Sequence, residues 1–193
     1  MTCNADAASG VRTLLVFGDS LSAAYGLRVE QGWVALLQKR LDAQGYGYRV
    51  VNASVSGETS SGGRSRLARA LDLHKPALVI LELGANDGLR GLPVKDVQAN
   101  LAAMIGAVRT AKIRLLLVGI MLPPNYGRQY AADFSDMYRK LASDHKVVLV
   151  PFLLDGVALD SRLMQADGLH PNALGQPAAF ENVWRYLKPM LER

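Results

Sequence analysis

A serine whose hydroxyl could act as a nucleophile follows directly after an apolar run near the start of the chain. Residues 14–17 read Leu-Leu-Val-Phe, and Gly18, Asp19 and Ser20 come next. A parallel strand that ends here puts Ser20 at the carboxyl edge of a sheet, where open α/β folds bind their ligands. Serine is a weak nucleophile until a base accepts its proton. The chain must therefore supply a base from another segment.

A histidine with a neighbouring carboxylate offers that base close to the other end of the chain. Asp167 precedes His170 by three positions in the run Asp-Gly-Leu-His-Pro. At this spacing the carboxylate can fold back to hold the Nδ1–H of the imidazole while Nε2 faces the serine. Ser20, Asp167 and His170 are therefore the predicted catalytic residues of an acyl-transfer reaction.

Two further loops carry groups that could donate hydrogen bonds to a developing oxyanion. Gly57 follows the run at residues 48–52, and Asn86 follows the run at residues 78–83. Because glycine has no side chain, a reacting oxygen can approach its backbone N–H closely, and the side-chain amide of asparagine is a neutral donor. Because the carboxyl ends of parallel strands share one edge of a sheet, we expect both donors close to Ser20.

The elements that must position these groups alternate along the chain. Short apolar runs are separated by stretches in which apolar residues recur at three- and four-residue steps, the period of a helix. This alternation predicts an α/β protein, a three-layer α/β/α sandwich around a five-stranded parallel sheet of flavodoxin-like order. The predicted strands are Thr13–Phe17, Tyr48–Asn52, Leu78–Leu83, Arg114–Ile120 and Val147–Pro151. Residues 11–193 are predicted to form one domain, after a disordered segment at residues 1–10.

Composition excludes several other classes of protein. Half of the 193 residues are hydrophobic and a fifth are charged, which suits one folded core. The formal charge of +5 is dispersed, and the cluster Arg64, Arg66 and Arg69 favours a solvated helix face over a nucleic-acid patch. No apolar run approaches the ~20 residues of a membrane span, although peripheral contact with lipid stays open. Three scattered histidines and the single Cys3 predict no metal site, and no cofactor motif is present.

Taken together, the motifs resemble the signature segments of the SGNH (GDSL) hydrolases. These are Gly-Asp-Ser-Leu at residues 18–21, Gly57, Gly-x-Asn-Asp at residues 84–87 and Asp-x-x-His at residues 167–170, in the family's order. Longer stretches around them resemble the TesA-type bacterial enzymes, periplasmic proteins described as acyl-CoA thioesterases, arylesterases and lysophospholipases. One departure is Ala85, where many relatives have glycine; its methyl group removes no donor.

The resemblance implies a role for each of the candidate residues. Ser20 would be the nucleophile, with His170 and Asp167 as the other members of the triad. The oxyanion hole would consist of the N–H groups of Ser20 and Gly57 and the side-chain amide of Asn86.

The resemblance also suggests where a substrate would bind. The family's mobile substrate loop maps to about residues 88–93, with an ordinary surface turn as the alternative. The loop after the fourth strand could wall an apolar acyl groove. Asp19 is assigned to the substrate site, and the alternative is that it braces its own turn. The predicted substrate-binding residues are Asp19, Gly88, Leu89, Arg90, Leu122, Pro123 and Tyr126.

These inferences predict a serine hydrolase that cleaves small-molecule esters and thioesters of apolar acyl or aryl groups through an acyl-enzyme. The alternatives are an SGNH carbohydrate acetylesterase and a non-catalytic α/β binding module. The resemblance implies a periplasmic or secreted protein, with the cytoplasm as the alternative. Residues 5–7, Ala-Asp-Ala, fit the small-x-small pattern that precedes a signal cleavage point.

Overall fold

Five parallel strands form the single sheet of this computed structural model, which describes residues 10–192. The strands lie in the order β2-β1-β3-β4-β5, which is the flavodoxin-like order. The predicted fold class is therefore confirmed. Apart from Gly10, the segment predicted to be disordered lies outside the described residues. The strands are β1 Arg12–Gly18, β2 Tyr48–Asn52, β3 Leu78–Glu82, β4 Arg114–Val118 and β5 Val148–Val150.

The central strands are apolar because helices cover both of their faces. Every residue of β3 is buried, as are the last five residues of β1, and such runs are typical of parallel sheets. Strands β4 and β5 are shorter than predicted. The chain leaves the ladder after Val118, where the N–H of Gly119 donates to the carbonyl oxygen of Val150 at 2.8 Å. Pro151 has no N–H to extend the last strand.

Six helices flank the sheet within the described residues and complete the three layers. Helices α1 and α6 pack together on one face, whereas α2, α4 and α5 pack on the other. Their buried stripes, such as Leu101, Ile105 and Val108 of α4, match the predicted helical period. None of the described helices is long and apolar enough to cross a membrane. The helices are α1 Trp33–Ala43, α2 Ser60–His74, α3 Ala85–Leu89, α4 Val94–Thr110, α5 Arg128–His145 and α6 Gln176–Leu187.

Candidate active site

A chain of hydrogen bonds connects three predicted catalytic residues from opposite ends of the sequence. His170 Nε2 lies 2.8 Å from Ser20 Oγ, and His170 Nδ1 lies 2.7 Å from Asp167 Oδ2. Ser20 follows β1, while the other two residues lie in the loop before α6. With the proton on Nδ1, the imidazole donates to the carboxylate and presents an acceptor to the serine hydroxyl. This arrangement can remove a proton from Ser20 Oγ.

Asp167 is held so that it stays ionised and fixes the orientation of the imidazole. Its Oδ1 accepts the N–H groups of Leu169 at 2.9 Å and His170 at 3.0 Å. Partial burial acts to raise the pKa of Asp167, but these hydrogen bonds and the imidazole outweigh it, and the pKa is lowered. The loop itself is anchored by the N–H of Gln165, which donates to the carbonyl oxygen of His170 at 2.8 Å.

The predicted oxyanion donors lie on three loops at the same edge of the sheet. Within residues 10–192, the N–H groups of Ser20 and Gly57 meet no protein acceptor. Asn86 Nδ2 donates to the carbonyl oxygen of Glu58 at 2.9 Å and faces Asp19 Oδ2 at 3.3 Å. Both amide hydrogens therefore have protein acceptors. The contact to Asp19 is the longer and therefore the weaker of the two.

A short helix, α3, positions Asn86, although the sequence predicted only a loop. Gly84 turns the chain out of β3 with φ +124°, and a Cβ at this position would collide with the hydroxyl of Tyr138. Asp87 is buried and accepts the N–H of Ser60 at 2.8 Å and its Oγ–H at 2.6 Å. Asp87 therefore connects α3 to the first turn of α2.

Two buried carboxyl groups lie beneath the turn that carries Ser20. Asp19 has no exposed surface, and its Oδ1 accepts the N–H of Leu21 at 3.0 Å. Glu82, at the end of β3, accepts the hydroxyl of Ser22 at 2.6 Å. Burial raises the pKa of Asp19 to about 7 and that of Glu82 well above its usual value. Asp19 thus braces its own turn from the interior, while Glu82 is a residue that sequence reasoning missed.

The predicted substrate residues lie in two different environments. Gly88 is buried, and a Cβ there would meet Leu122 and Phe134. Leu122 is itself only 8% exposed, so it packs largely against the protein. Arg90 is exposed and donates to the carbonyl oxygen of Gly57 at 3.3 Å. This contact brings the predicted substrate loop against the predicted oxyanion loop.

Three further predicted substrate residues, Leu89, Pro123 and Tyr126, are half-buried. One end of the predicted mobile loop has open space, since nothing lies near an added Cβ at Gly91. The other end is packed, as described for Gly88. Mobility of this loop and its contact with substrate stay predictions.

Two cavities lie outside the candidate site. One of about 170 Å³ is lined by residues that include Ser22, Val29 and Asn52, and one of about 190 Å³ lies beside Met121 and Phe152. Neither is lined by a predicted catalytic residue.

In the described part of the chain, no group of three His, Cys, Asp or Glu residues is arranged to hold a metal ion.

Comparison with known proteins identifies the family. Residues 16–178 match the model of the GDSL-like Lipase/Acylhydrolase family. The chain belongs to this family. A GDSL-like relative, Esterase TesA of Pseudomonas aeruginosa, is 55% identical over 183 residues, which cover 95% of this chain and 91% of the relative. Thioesterase 1/protease 1/lysophospholipase L1 of Escherichia coli (strain K12) is 41% identical over 184 residues, which cover 95% and 87%.

A solved GDSL-like structure supports the same assignment. The psychrotrophic esterase EstA from Pseudoalteromonas sp., described as inhibited by monoethylphosphonate, superposes with a TM-score of 0.88 at 43% identity. The match covers 93% of this chain and 98% of that one. The predicted family and the predicted serine-hydrolase class of enzyme are thereby confirmed.

Proposed function

We propose that this GDSL-like hydrolase cleaves carboxylic esters and thioesters of apolar acyl or aryl groups, with Ser20 as the nucleophile. The observation that carries the proposal is the continuous hydrogen-bond chain from Asp167 through His170 to Ser20 Oγ. A nucleophile, a base and a group that orients the base are the parts that two-step acyl transfer requires.

In the proposed reaction the proton of Ser20 is transferred to the leaving group, and a proton from water later replaces it on Ser20. Ser20 Oγ bonds to the acyl carbon as its proton passes to His170 Nε2, and the carbonyl electron pair moves onto oxygen. The N–H groups of Ser20 and Gly57 and the amide of Asn86 stabilise that oxyanion. His170 then protonates the departing alcohol or thiol. Water, deprotonated by the same imidazole, releases the acid and restores Ser20.

An apolar substrate is favoured by the side chains around the proposed site. The loops that carry Gly57 and Asn86 also expose Val55 and Leu92, which are 48% and 37% accessible. Such residues favour the binding of hydrophobic groups rather than sugars. The names of the two relatives, an esterase and a thioesterase/lysophospholipase, point to the same substrate class.

A fluorophosphonate probe tests the nucleophile directly. We expect the folded protein to be labelled at Ser20, and labelling and ester hydrolysis to be lost in Ser20→Ala. Ser56→Ala, on the neighbouring exposed loop, is the matched control and should be labelled like the wild type. A folded wild type that resists the probe would instead indicate a non-catalytic binding module.

A series of nitrophenyl esters of increasing acyl length, assayed beside an acetylated sugar, tests the substrate class. Turnover that rises with chain length supports the proposal. A preference for the acetylated sugar would assign the protein to the carbohydrate acetylesterases.

We also propose, from the family resemblance, that the protein acts in the periplasm. Fractionation of the native cell, with sequencing of the amino terminus of the recovered protein, tests this. Recovery with cytoplasmic markers would contradict it.

A further inference from the structure

The ring of Tyr25 lies against one face of the His170 imidazole. The two ring centroids are 4.6 Å apart, and the ring planes are inclined by 37°. Both nitrogens of the imidazole are already engaged, one with Ser20 and the other with Asp167. Those hydrogen bonds lie in the plane of the imidazole. Tyr25 contacts a face of the ring, so it restrains movement out of that plane, which the hydrogen bonds restrain less.

The backbone of Tyr25 is tied to both segments of the candidate triad. Its N–H donates to the carbonyl oxygen of Ser20 at 3.3 Å, and its own carbonyl oxygen accepts Gln165 Nε2 at 2.8 Å. Gln165 in turn donates its N–H to the carbonyl oxygen of His170. The position of the tyrosine ring is therefore coupled to the nucleophile and to the base.

Core packing does not explain this placement. Tyr25 is 50% exposed, and the residue before it, Ala24, adopts a left-handed conformation with φ +58°. A non-glycine residue in that region costs of order 1 kcal/mol or more. The turn accepts this strain while it holds an exposed aromatic ring over the imidazole.

We propose that Tyr25 is a positioning residue for His170, a role that rests on the function proposed above. The ring keeps the imidazole in the plane that connects Ser20 with Asp167. It also presents its electron-rich face to the imidazolium that forms when Nε2 takes the serine proton. Cation–π contacts of this kind correspond to roughly 2- to 30-fold in rate.

Three variants distinguish the effect of the aromatic ring from the effect of side-chain size. Tyr25→Phe keeps the face, Tyr25→Leu keeps an apolar side chain without it, and Tyr25→Ala removes both. Val29→Ala is the matched control, since Val29 is exposed in the same part of the chain and has no ring to offer His170. All are assayed with nitrophenyl acetate and with a longer-chain nitrophenyl ester, and their folding is checked by urea unfolding.

We expect Tyr25→Phe and Val29→Ala to retain kcat within about 2-fold. Tyr25→Leu and Tyr25→Ala should lower kcat by roughly 2- to 30-fold on both esters, with KM little changed and fluorophosphonate labelling slowed in parallel. Wild-type kcat in folded Tyr25→Leu would overturn the proposal, as would a loss confined to KM or to the longer ester. A wild type that neither turns over esters nor takes the probe would instead overturn the proposed function.

Discussion

The buried carboxyl of Glu82 can be tested by its replacement with glutamine, which keeps the shape but cannot ionise. Glu82 Oε2 accepts hydrogen bonds from Ser22 Oγ at 2.6 Å and from the N–H of Asp19 at 3.3 Å. Its Oε1 is buried and meets no partner within residues 10–192. Burial, and then the charge of Asp19, raise the pKa of Glu82 well above its usual value. We therefore expect the folded protein to keep a proton on this group at pH values where the unfolded chain has lost it.

The sign and size of the effect follow from proton linkage. A carboxyl whose pKa is raised by folding keeps a proton that the unfolded chain releases above its ordinary pKa of about 4.3. The free energy of unfolding therefore falls as pH rises towards the folded-state pKa, by about 1.4 kcal/mol per pH unit for one retained proton. Above the ordinary carboxyl pKa of about 4.3, the wild type should lose up to about 1.4 kcal/mol per pH unit relative to Glu82→Gln, until the pH reaches the folded-state pKa of Glu82.

At the acidic end the order of stabilities should favour the wild type. The amide of glutamine carries one more hydrogen than the neutral carboxyl does, and an unpaired buried donor costs about 1–3 kcal/mol. The two stability curves should therefore converge or cross as pH rises. Asp19, whose pKa is raised to about 7, is present in both proteins and adds a slope to both curves.

Urea unfolding across this pH range, followed by tryptophan fluorescence, measures the difference. Trp33 and Trp184 are both buried and report loss of the fold. Glu30→Gln, which replaces an exposed carboxylate, is the control and should run parallel to the wild type. A stability difference between wild type and Glu82→Gln that stays constant with pH would refute a retained proton on Glu82. A difference that changes in the opposite direction would refute it equally.

Two further substitutions test the donors and the support of α3. Asn86→Ala should lower kcat on a short aryl ester by roughly 100- to 1,000-fold. Asn182→Ala, which likewise loses two hydrogen bonds, here to the carbonyl oxygens of Leu153 and Asp155, should leave kcat unchanged. An unaltered rate in Asn86→Ala would remove that amide from the mechanism. Ser60→Ala should lower the free energy of unfolding by about 1–3 kcal/mol, because Asp87 loses a buried donor. Ser65→Ala, on the exposed side of the same helix, should change it by under about 0.5 kcal/mol, and equal effects in the two serine variants would contradict the assigned role of Ser60.

Most of the fold could be predicted because its determinants are local in sequence. Strand β3 is apolar from Leu78 to Leu81, and α4 repeats its apolar residues at the helical period. Each pattern specifies an element without reference to the rest of the chain. The strand ends were less accurate, since β4 was predicted to reach Ile120 and ends at Val118. Where a strand ends depends on its neighbour: the N–H of Gly119 bonds to Val150, the last residue of β5, and no local pattern records that contact.

The candidate site divides in the same way between local and long-range information. The residue types of Ser20 and His170 indicate the chemistry that they could perform, and the sheet order brings their loops together. Asp87 was recognised as polar, but its partner Ser60 belongs to another helix. Tyr25 reads as one more aromatic residue in a loop. Its contact with His170 exists only because two distant segments meet.

Gly18 shows how a long-range contact can determine a residue in a motif. In the sequence, Gly18 stands out only as the first residue of the Gly-Asp-Ser-Leu motif. In the sheet it pairs with Glu82 of the neighbouring strand, and a Cβ on Gly18 would lie 2.6 Å from Glu82 Oε2 and 2.8 Å from the Glu82 carbonyl oxygen. The buried carboxyl therefore occupies the space that any side chain at position 18 would need. Gly18 and Glu82 therefore form one packing unit, and a change at either position must disturb the turn that presents Ser20.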